Sequence, residues 1–364
     1  MTTIHCGQKF AIHNVFKTLF ITRSTTIKRK ISTAPQKLLD YNKLLKSHAK
    51  TFKKQDSGQK EAIKILQEMK LHGIQPNSQT WFQLVIGMSF QRHRTHAQND
   101  RLEAWFNNLV ASEPKIEKFK KVLFHLSFQG HPNLLEMFTK MNNKAELQVE
   151  DWHAAIKGCI KAKKMEDANE LLDMLRKNKM ATISSYRLLI ESYLYLEDGA
   201  SASQIFSFML QDEITANYEI YELFIDHYMS LEYVPDHANT LIKLWQAVLM
   251  TKTETNIPQE MIQKYLSYFG QHGELAKAEQ VYLDVKAGRL SRRCVGELNK
   301  VIIGFSNKRQ LRSALSLYYD LLGQGYKPSQ NVINKISEAC LATGDKEAIQ
   351  QLIDVTNAYH KIKL

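Results

Sequence analysis

The 364-residue sequence has no run of about 18 apolar residues, the minimum for a membrane-spanning helix, so no membrane span is expected. Proline and glycine are sparse, at 7 and 15 residues. The Val-Thr-Ile alternation that marks half-buried strands is scarce. Leu, Lys, Glu, Ala and Gln dominate instead, a composition that favours helix over strand. An all-α fold follows as the expectation. Cys6, Cys159, Cys294 and Cys340 are far apart and form no C-x-x-C pair, which excludes a disulfide framework or a zinc knuckle as the reading of the pattern. Cys159 and Cys340 fall on apolar stripes, so buried free thiols in a reducing compartment are expected. His93 and His96 stand three apart without a third ligand nearby, and no catalytic constellation is visible. The chain is therefore not expected to be an enzyme or to use a metal, a cofactor or a small-molecule substrate.

Acid is missing from the first 39 residues, which hold Lys9, Lys17, Arg23, Lys28, Arg29, Lys30 and Lys37 before the first carboxylate at Asp40. Phe10, Val15, Phe16, Leu19 and Phe20 would form the apolar face of a short basic helix, followed by serines and threonines. An amphipathic, basic, hydroxyl-rich and acid-free start resembles a mitochondrial presequence. Arg29 lies two residues before a cut after Ile31, so residues 1–31 are read as a cleaved presequence and the matrix as the destination. Cleavage would remove six positive charges from the total of +12, leaving +6, a balance that assists binding to a polyanion.

The segment from Glu61 to Val85 contains a helix pattern, a stop at Gly73 to Pro76 and a second helix pattern at once. Its form, E-A-x-x-x-x-x-E-M followed by G-I-x-P-N, returns at Arg312 to Ser329 as a small residue, an apolar face and G-Y-x-P-S. Weaker copies begin near Glu166, Ala200 and Ala276. The small residue inside each second helix falls at Ala168, Ala202, Ala238, Ala278 and Ala314. Each copy is preceded by a large apolar residue opening a first helix, at Tyr41, Trp81, Phe119, Trp152, Tyr186, Tyr221, Ile262, Leu298 and Ile333. Two helices of this size cannot bury their apolar faces alone, and stacking successive pairs supplies the missing surface. The spacing predicts an α-solenoid of about nine helix-turn-helix repeats over residues 36–364, with irregular repeats around 78–147 and 218–257.

Val295 to Ser329, VGELNKVIIGFSNKRQLRSALSLYYDLLGQGYKPS, resembles the 35-residue unit of the pentatricopeptide repeat family over its whole length. Glu61 to Asn77, Trp152 to Leu175 and Ile183 to Asn217 are similar to it in register, so the resemblance covers nearly all of the chain after the presequence. It implies a right-handed superhelix that binds single-stranded RNA on the concave helix face, one base per repeat. The tetratricopeptide family, with a 34-residue unit, is the structural rival; the G-I-x-P-N ending favours the first family.

In that family the residue after the opening aromatic reads the base edge and the last residue of the unit assists it. Carried over, this pairs Asn42 with Asn77, His153 with Thr182, Arg187 with Asn217, Glu222 with Pro258, Gln263 with Cys294 and Asn299 with Ser329. Phe82, Lys120 and Asn334 occupy the remaining reading slots. An amide can donate and accept at once, so the Asn42 and Asn299 slots would favour pyrimidines. The residues that would sandwich the bases are acidic at Glu117, Glu150, Glu219 and Glu260, with Gln79, Ser184 and Gly296 elsewhere. Carboxylates repel phosphate, which predicts that uniform one-base reading fails through the middle of the chain. Arg292 and Arg293, at a junction between repeats, are expected phosphate contacts. The clusters Lys115, Lys118, Lys120, Lys121 and Lys161, Lys163, Lys164 suit phosphate contacts and solvated helix faces equally. The expected function is binding of a mitochondrial mRNA or rRNA in its processing, stabilisation or translation. The alternative is a helical scaffold in the mitoribosome or in its small-subunit assembly and rRNA maturation, with the mitoribosome as candidate partner.

Overall fold

The computed structural model describes residues 34–49, 56–91, 94–251, 257–286, 288 and 290–362. The expected presequence and its cleavage site, together with Cys6 and His93, lie outside the described residues. Among the described residues there are 18 helices and no strand. The first eight are α1 (Ala34–Ala49), α2 (Asp56–Leu71), α3 (Ser78–Ser89), α4 (His96–Ala111), α5 (Ile116–Gln129), α6 (Leu134–Asn142), α7 (Val149–Lys161) and α8 (Met165–Lys177). They continue as α9 (Ile183–Tyr195), α10 (Gly199–Gln211), α11 (Tyr218–Ser230), α12 (Pro235–Thr251) and α13 (Gln259–Gln271). The last are α14 (Leu275–Val285), α15 (Arg292–Asn307), α16 (Leu311–Gly323), α17 (Gln330–Thr343) and α18 (Lys346–Ile362). In chain order they alternate as odd-numbered first and even-numbered second helices of a recurring two-helix unit, and the described residues form an all-α fold of helical repeats. None of the described helices is long and apolar enough to cross a membrane.

Local chemistry explains why the helices break where they do. Gly73 follows α2 with φ +65°, a left-handed conformation that glycine adopts without a Cβ penalty. The Ile74 N–H then reaches back to the Met69 carbonyl at 2.9 Å, satisfying one of the open carbonyls of the helix end. The same bond recurs from Lys164 to Cys159, from Asp198 to Tyr193, from Gln310 to Phe305 and from Tyr326 to Leu321. At three of these ends the left-handed residue is Lys163, Glu197 or Arg309, where a side chain costs about 1 kcal/mol that glycine avoids. The turn geometry is therefore common to the repeats although only some of them mark it with glycine.

The chain divides into two compact units meeting between Ser192 and Tyr193, within α9. In the N-terminal unit first helices pack on first helices, α1 on α3, α3 on α5 and α5 on α7, and second helices pack likewise, α4 on α6 and α6 on α8. In the C-terminal unit α13, α15 and α17 stack in the same way. The small residues expected on the second helices, Ala168, Ala202, Ala238, Ala278 and Ala314, are all fully buried. A methyl group at these places lets paired helices approach closely enough for large neighbours to fill the rest. Among the opening residues Phe119, Trp152, Tyr186, Ile262 and Leu298 are at most 2% exposed. Trp152 meets Phe138 edge-on at 4.6 Å in the N-terminal core. In the C-terminal core Trp245 lies 5.0 Å from Tyr265 and donates its indole N–H to Asp284 at 2.8 Å. Cys159, Cys294 and Cys340 are buried free thiols, and burial pushes the Cys159 thiol up to about 12.

The seventh junction differs from the expected register. Ser291 caps α15 by accepting the Cys294 N–H, so the helix starts one turn before the 35-residue pattern places it. Cys294 is consequently not the last residue of a repeat but a buried residue inside the first turn.

Candidate nucleic-acid interface

The first helices are positioned at their N-termini by short polar side chains. Asn77 accepts the N–H groups of Gln79 and Thr80 at the start of α3, Asn217 accepts that of Ile220 for α11, and Ser329 accepts that of Val332 for α17. These are three of the residues that end a repeat and were expected to assist base reading. Each also closes an open helix end, a contribution of about 1 kcal/mol. All three are exposed.

The reading slots follow one turn later. Asn42 is buried and joined to its expected partner: its amide donates to Asn77 Oδ1 at 3.3 Å, while its own oxygen accepts the Thr80 hydroxyl at 2.8 Å. Lys120 forms an ion pair with Asp151 at 3.1 Å. The His153 ring bonds Ser185 Oγ at 2.8 Å, and burial, helped by Lys157, pushes its pKa down. Thr80, Asp151 and Ser185 occupy one position, the third residue of the following first helix. Three slots of the N-terminal unit are thus cross-braces between consecutive repeats. Phe82 has the Lys118 ammonium 5.9 Å from its ring centre, and Arg187 is half-buried in the second turn of α9.

In the C-terminal unit the bracing position is apolar. Ile220, Met261 and Val332 are buried there, and the slots behave differently. Glu222 lies 3.6 Å from Lys264, which also pairs with Asp226 at 2.7 Å. Gln263 and Asn299 are half-buried. Asn299 Oδ1 is buried without a hydrogen-bond partner, because the next helix presents Val332 where α3 presents Thr80. No hydrogen bond joins Asn299 to Ser329 among the described residues. Asn334 is exposed and accepts an amide N–H from Gln330 at 3.1 Å.

The expected phosphate contacts divide into committed and open groups. Lys118 donates to Ser78 Oγ at 3.2 Å, and burial, then Lys115, pushes its pKa down. Lys115, Lys121, Lys163 and Lys164 are exposed. Arg292 and Arg293 are the exposed first two residues of α15, at the start of a repeat. Their charge adds to the positive end of the helix dipole, which concentrates positive potential at one point of the C-terminal unit. The acidic sandwich residues Glu117, Glu150, Glu219 and Glu260 are all exposed. Over the whole array, residues 32–192 carry 26 Lys and Arg against 17 Asp and Glu, a net +9. Residues 193–364 carry 17 against 20, a net −3. Phe124 and Phe128, exposed on α5 among the lysines, were not singled out from sequence; their spacing of four on the phase of Lys121 is the signal that could have found them.

A family model for the PPR repeat matches residues 151–180, covering α7 and α8. No curated protein matches the sequence. Among solved structures, the pentatricopeptide repeat protein PPR10 from maize is 14% identical, with a TM-score of 0.42 over 95% of this chain and 56% of that one. PPR10 in complex with an 18-nt psaJ RNA element is 14% identical, with a TM-score of 0.43 over 94% and 50%. The chain spans about half the length of these structures. Residues 151–180 are thus similar to a single PPR repeat, and a two-helix unit with a buried alanine recurs on either side of them.

Proposed function

We propose that the protein binds single-stranded RNA on the faces of its first helices and acts in mitochondrial gene expression, in processing, stabilising or translating an organelle transcript. The observation that carries this reading is the charge partition: a net +9 over residues 32–192, on a repeat family whose known ligand is RNA. Positive charge gathered on one body favours a polyanion and speeds its capture. The acid-free start of the chain supports delivery to the mitochondrial matrix, with cleavage after Ile31. Purified protein beginning at Ser32 should crosslink to mitochondrial RNA in organelle lysate; absence of any such RNA would sink the reading.

Within this function the residues fall into two roles. Asn299, half-buried and with no hydrogen bond to the next first helix among the described residues, is the base reader of choice, assisted by Ser329. Arg292 and Arg293 hold phosphate. Asn42, Asn77, Lys120, His153, Arg187, Asn217, Gln263 and Asn334 complete the interface, the first four through positions shared with repeat-to-repeat bracing. Asn299→Ala should weaken binding by about 1–3 kcal/mol, and only to RNA bearing the preferred base at one position. Arg292→Ala should weaken binding evenly and lower the salt slope by about one. Titration of both variants against a set of single-base changes at several salt concentrations separates the roles; equal effects on every sequence would rule out base reading by Asn299.

A second reading has its own support in the C-terminal unit, where Glu219, Glu222, Asp226 and Glu260 lie on α11 and α13 and the net charge is −3. Such a surface suits a basic protein partner, as in the mitoribosome or an assembly intermediate of its small subunit. Co-sedimentation with ribosomal particles that survives nuclease would favour this scaffold role; release by nuclease would favour direct RNA binding.

A further inference from the structure

Three neighbouring first helices of the N-terminal unit build a surface that neither the base-reading row nor the acidic sandwich positions explain. On α5 the residues Lys121, Phe124 and Phe128 continue the stripe that starts at the sandwich position Glu117, at spacings of four, three and four, and all four are exposed. Phe124 is 61% exposed and Phe128 58%. Their rings lie 6.4 Å apart and within 15° of parallel. On one side Phe90, the residue that caps the C-terminus of α3, meets His125 edge-on at 4.5 Å, and His125 in turn meets Phe124 edge-on at 5.5 Å. On the other side α7 contributes Lys161. Its ammonium donates to the Phe128 carbonyl at 2.6 Å and stands 4.5 Å from the centre of the Phe128 ring. Lys157 is exposed one turn earlier on the same helix.

We propose that this face is a base-stacking site for single-stranded RNA. An unpaired base stacks on the Phe124–Phe128 pair, and Lys121, Lys157 and Lys161 hold the phosphates on either side of it. The site rests on the RNA-binding reading above but not on the base-reading row. Flat aromatic faces with cations beside them suit a nucleotide, which has both a π face and a charge. A docked protein helix calls instead for an aliphatic groove that takes anchors from one face. The net charge of this unit, +9 over residues 32–192, favours the polyanion as well. Stacking tolerates any base, so it supplies affinity without a code. That answers how the N-terminal unit can engage RNA while Asn42, Lys120 and His153 are tied to the next helix.

The test uses the full chain with oligo(U) and oligo(A) of about 20 nucleotides, a length that exceeds the site size of one stacking platform. Replacing both rings, Phe124→Leu with Phe128→Leu, keeps apolar bulk and removes the π faces. Affinity for both oligomers should fall about 5- to 150-fold with an unchanged thermal midpoint, and Phe124→Trp should retain it. Ultraviolet crosslinking of wild type should place an adduct in the segment Val122 to Lys140. If wild type binds RNA and the double leucine variant binds it equally well, the stacking site is overturned and the RNA reading stands. If wild type binds no RNA, both fall. If Phe124→Ala with Phe128→Ala releases a protein partner that the leucine variant retains, with RNA affinity unmoved, the face docks protein and the stacking site is overturned.

Discussion

Gly158→Val is expected to cost the N-terminal unit at least about 3 kcal/mol, the upper end of ordinary overpacking penalties. Gly158 lies inside α7, where helix propensity alone would make Gly→Ala stabilising by about 1 kcal/mol. Packing reverses the sign. A Cβ at this place would overlap Leu134 Cδ2 and lie 2.6 Å from Ser127 Cα. The leucine methyl can rotate away, but Ser127 Cα belongs to the backbone of α5 and can move only if α5 and α7 separate. Alanine should therefore already destabilise, and valine much more. Gly304 is the matched control, because a Cβ there would meet only the side chain of Leu275, nearest at 2.8 Å, so Gly304→Ala should lie close to neutral. Two compact units make a single unfolding transition a poor assumption, so thermal unfolding should be followed by limited proteolysis. Gly158→Val should expose cleavage sites before Ser192 at temperatures where the C-terminal unit remains protected. A Gly158→Ala protein more stable than wild type would overturn this packing argument.

The tight α5–α7 seam also shows what the sequence could and could not disclose. Repeat number and helix order were legible because three signals recur at one period: a large apolar opener, a buried alanine and a polar residue at the seam. Turns marked by glycine, as at Gly73 and Gly325, were legible for the same reason. Turns closed by Lys163, Glu197 or Arg309 were not, since nothing in those residue types announces a left-handed backbone. The early start of α15 escaped because Ser291 competes with the expected register as a cap, and a 35-residue frame has no place for the extra turn. The bracing of Asn42, Lys120 and His153 escaped for another reason. Thr80, Asp151 and Ser185 look like ordinary first-turn polar residues, and only the stacking of repeats brings them to partners 31 to 38 residues away. Phe124 and Phe128 differ from core aromatics in helical phase alone.

Acid should loosen the N-terminal unit through His131, and the direction follows from its hydrogen bonds. His131 is fully buried in the turn between α5 and α6. Its Nδ1 accepts the Asn133 N–H at 3.2 Å, so the proton of the neutral ring sits on Nε2, which is buried without a partner. A second proton would have to go on Nδ1, breaking that bond and placing a cation in the interior. Arg94 is close enough to repel it; its guanidinium donates to Asn99 Oδ1 at 2.8 Å and to the Gln91 carbonyl at 2.9 Å. Burial first, then Arg94, lowers the His131 pKa to about 4, against about 6.5 in an unfolded chain. Above pH 6.5 the ring is neutral in both states and has no effect on the slope. Between pH 6.5 and 4 the unfolded chain takes up the proton and the folded one does not, so stability falls by about 1.4 kcal/mol per pH unit and about 3 kcal/mol in all. Below pH 4 both states are protonated and the loss levels off. Other groups titrate in this range too, so the measurement is the difference between wild type and His131→Gln in denaturant unfolding from pH 7.5 to 4. The two curves should converge or cross as pH falls, because the variant lacks the histidine contribution. Curves that stay parallel across that range would show that His131 does not set the acid sensitivity.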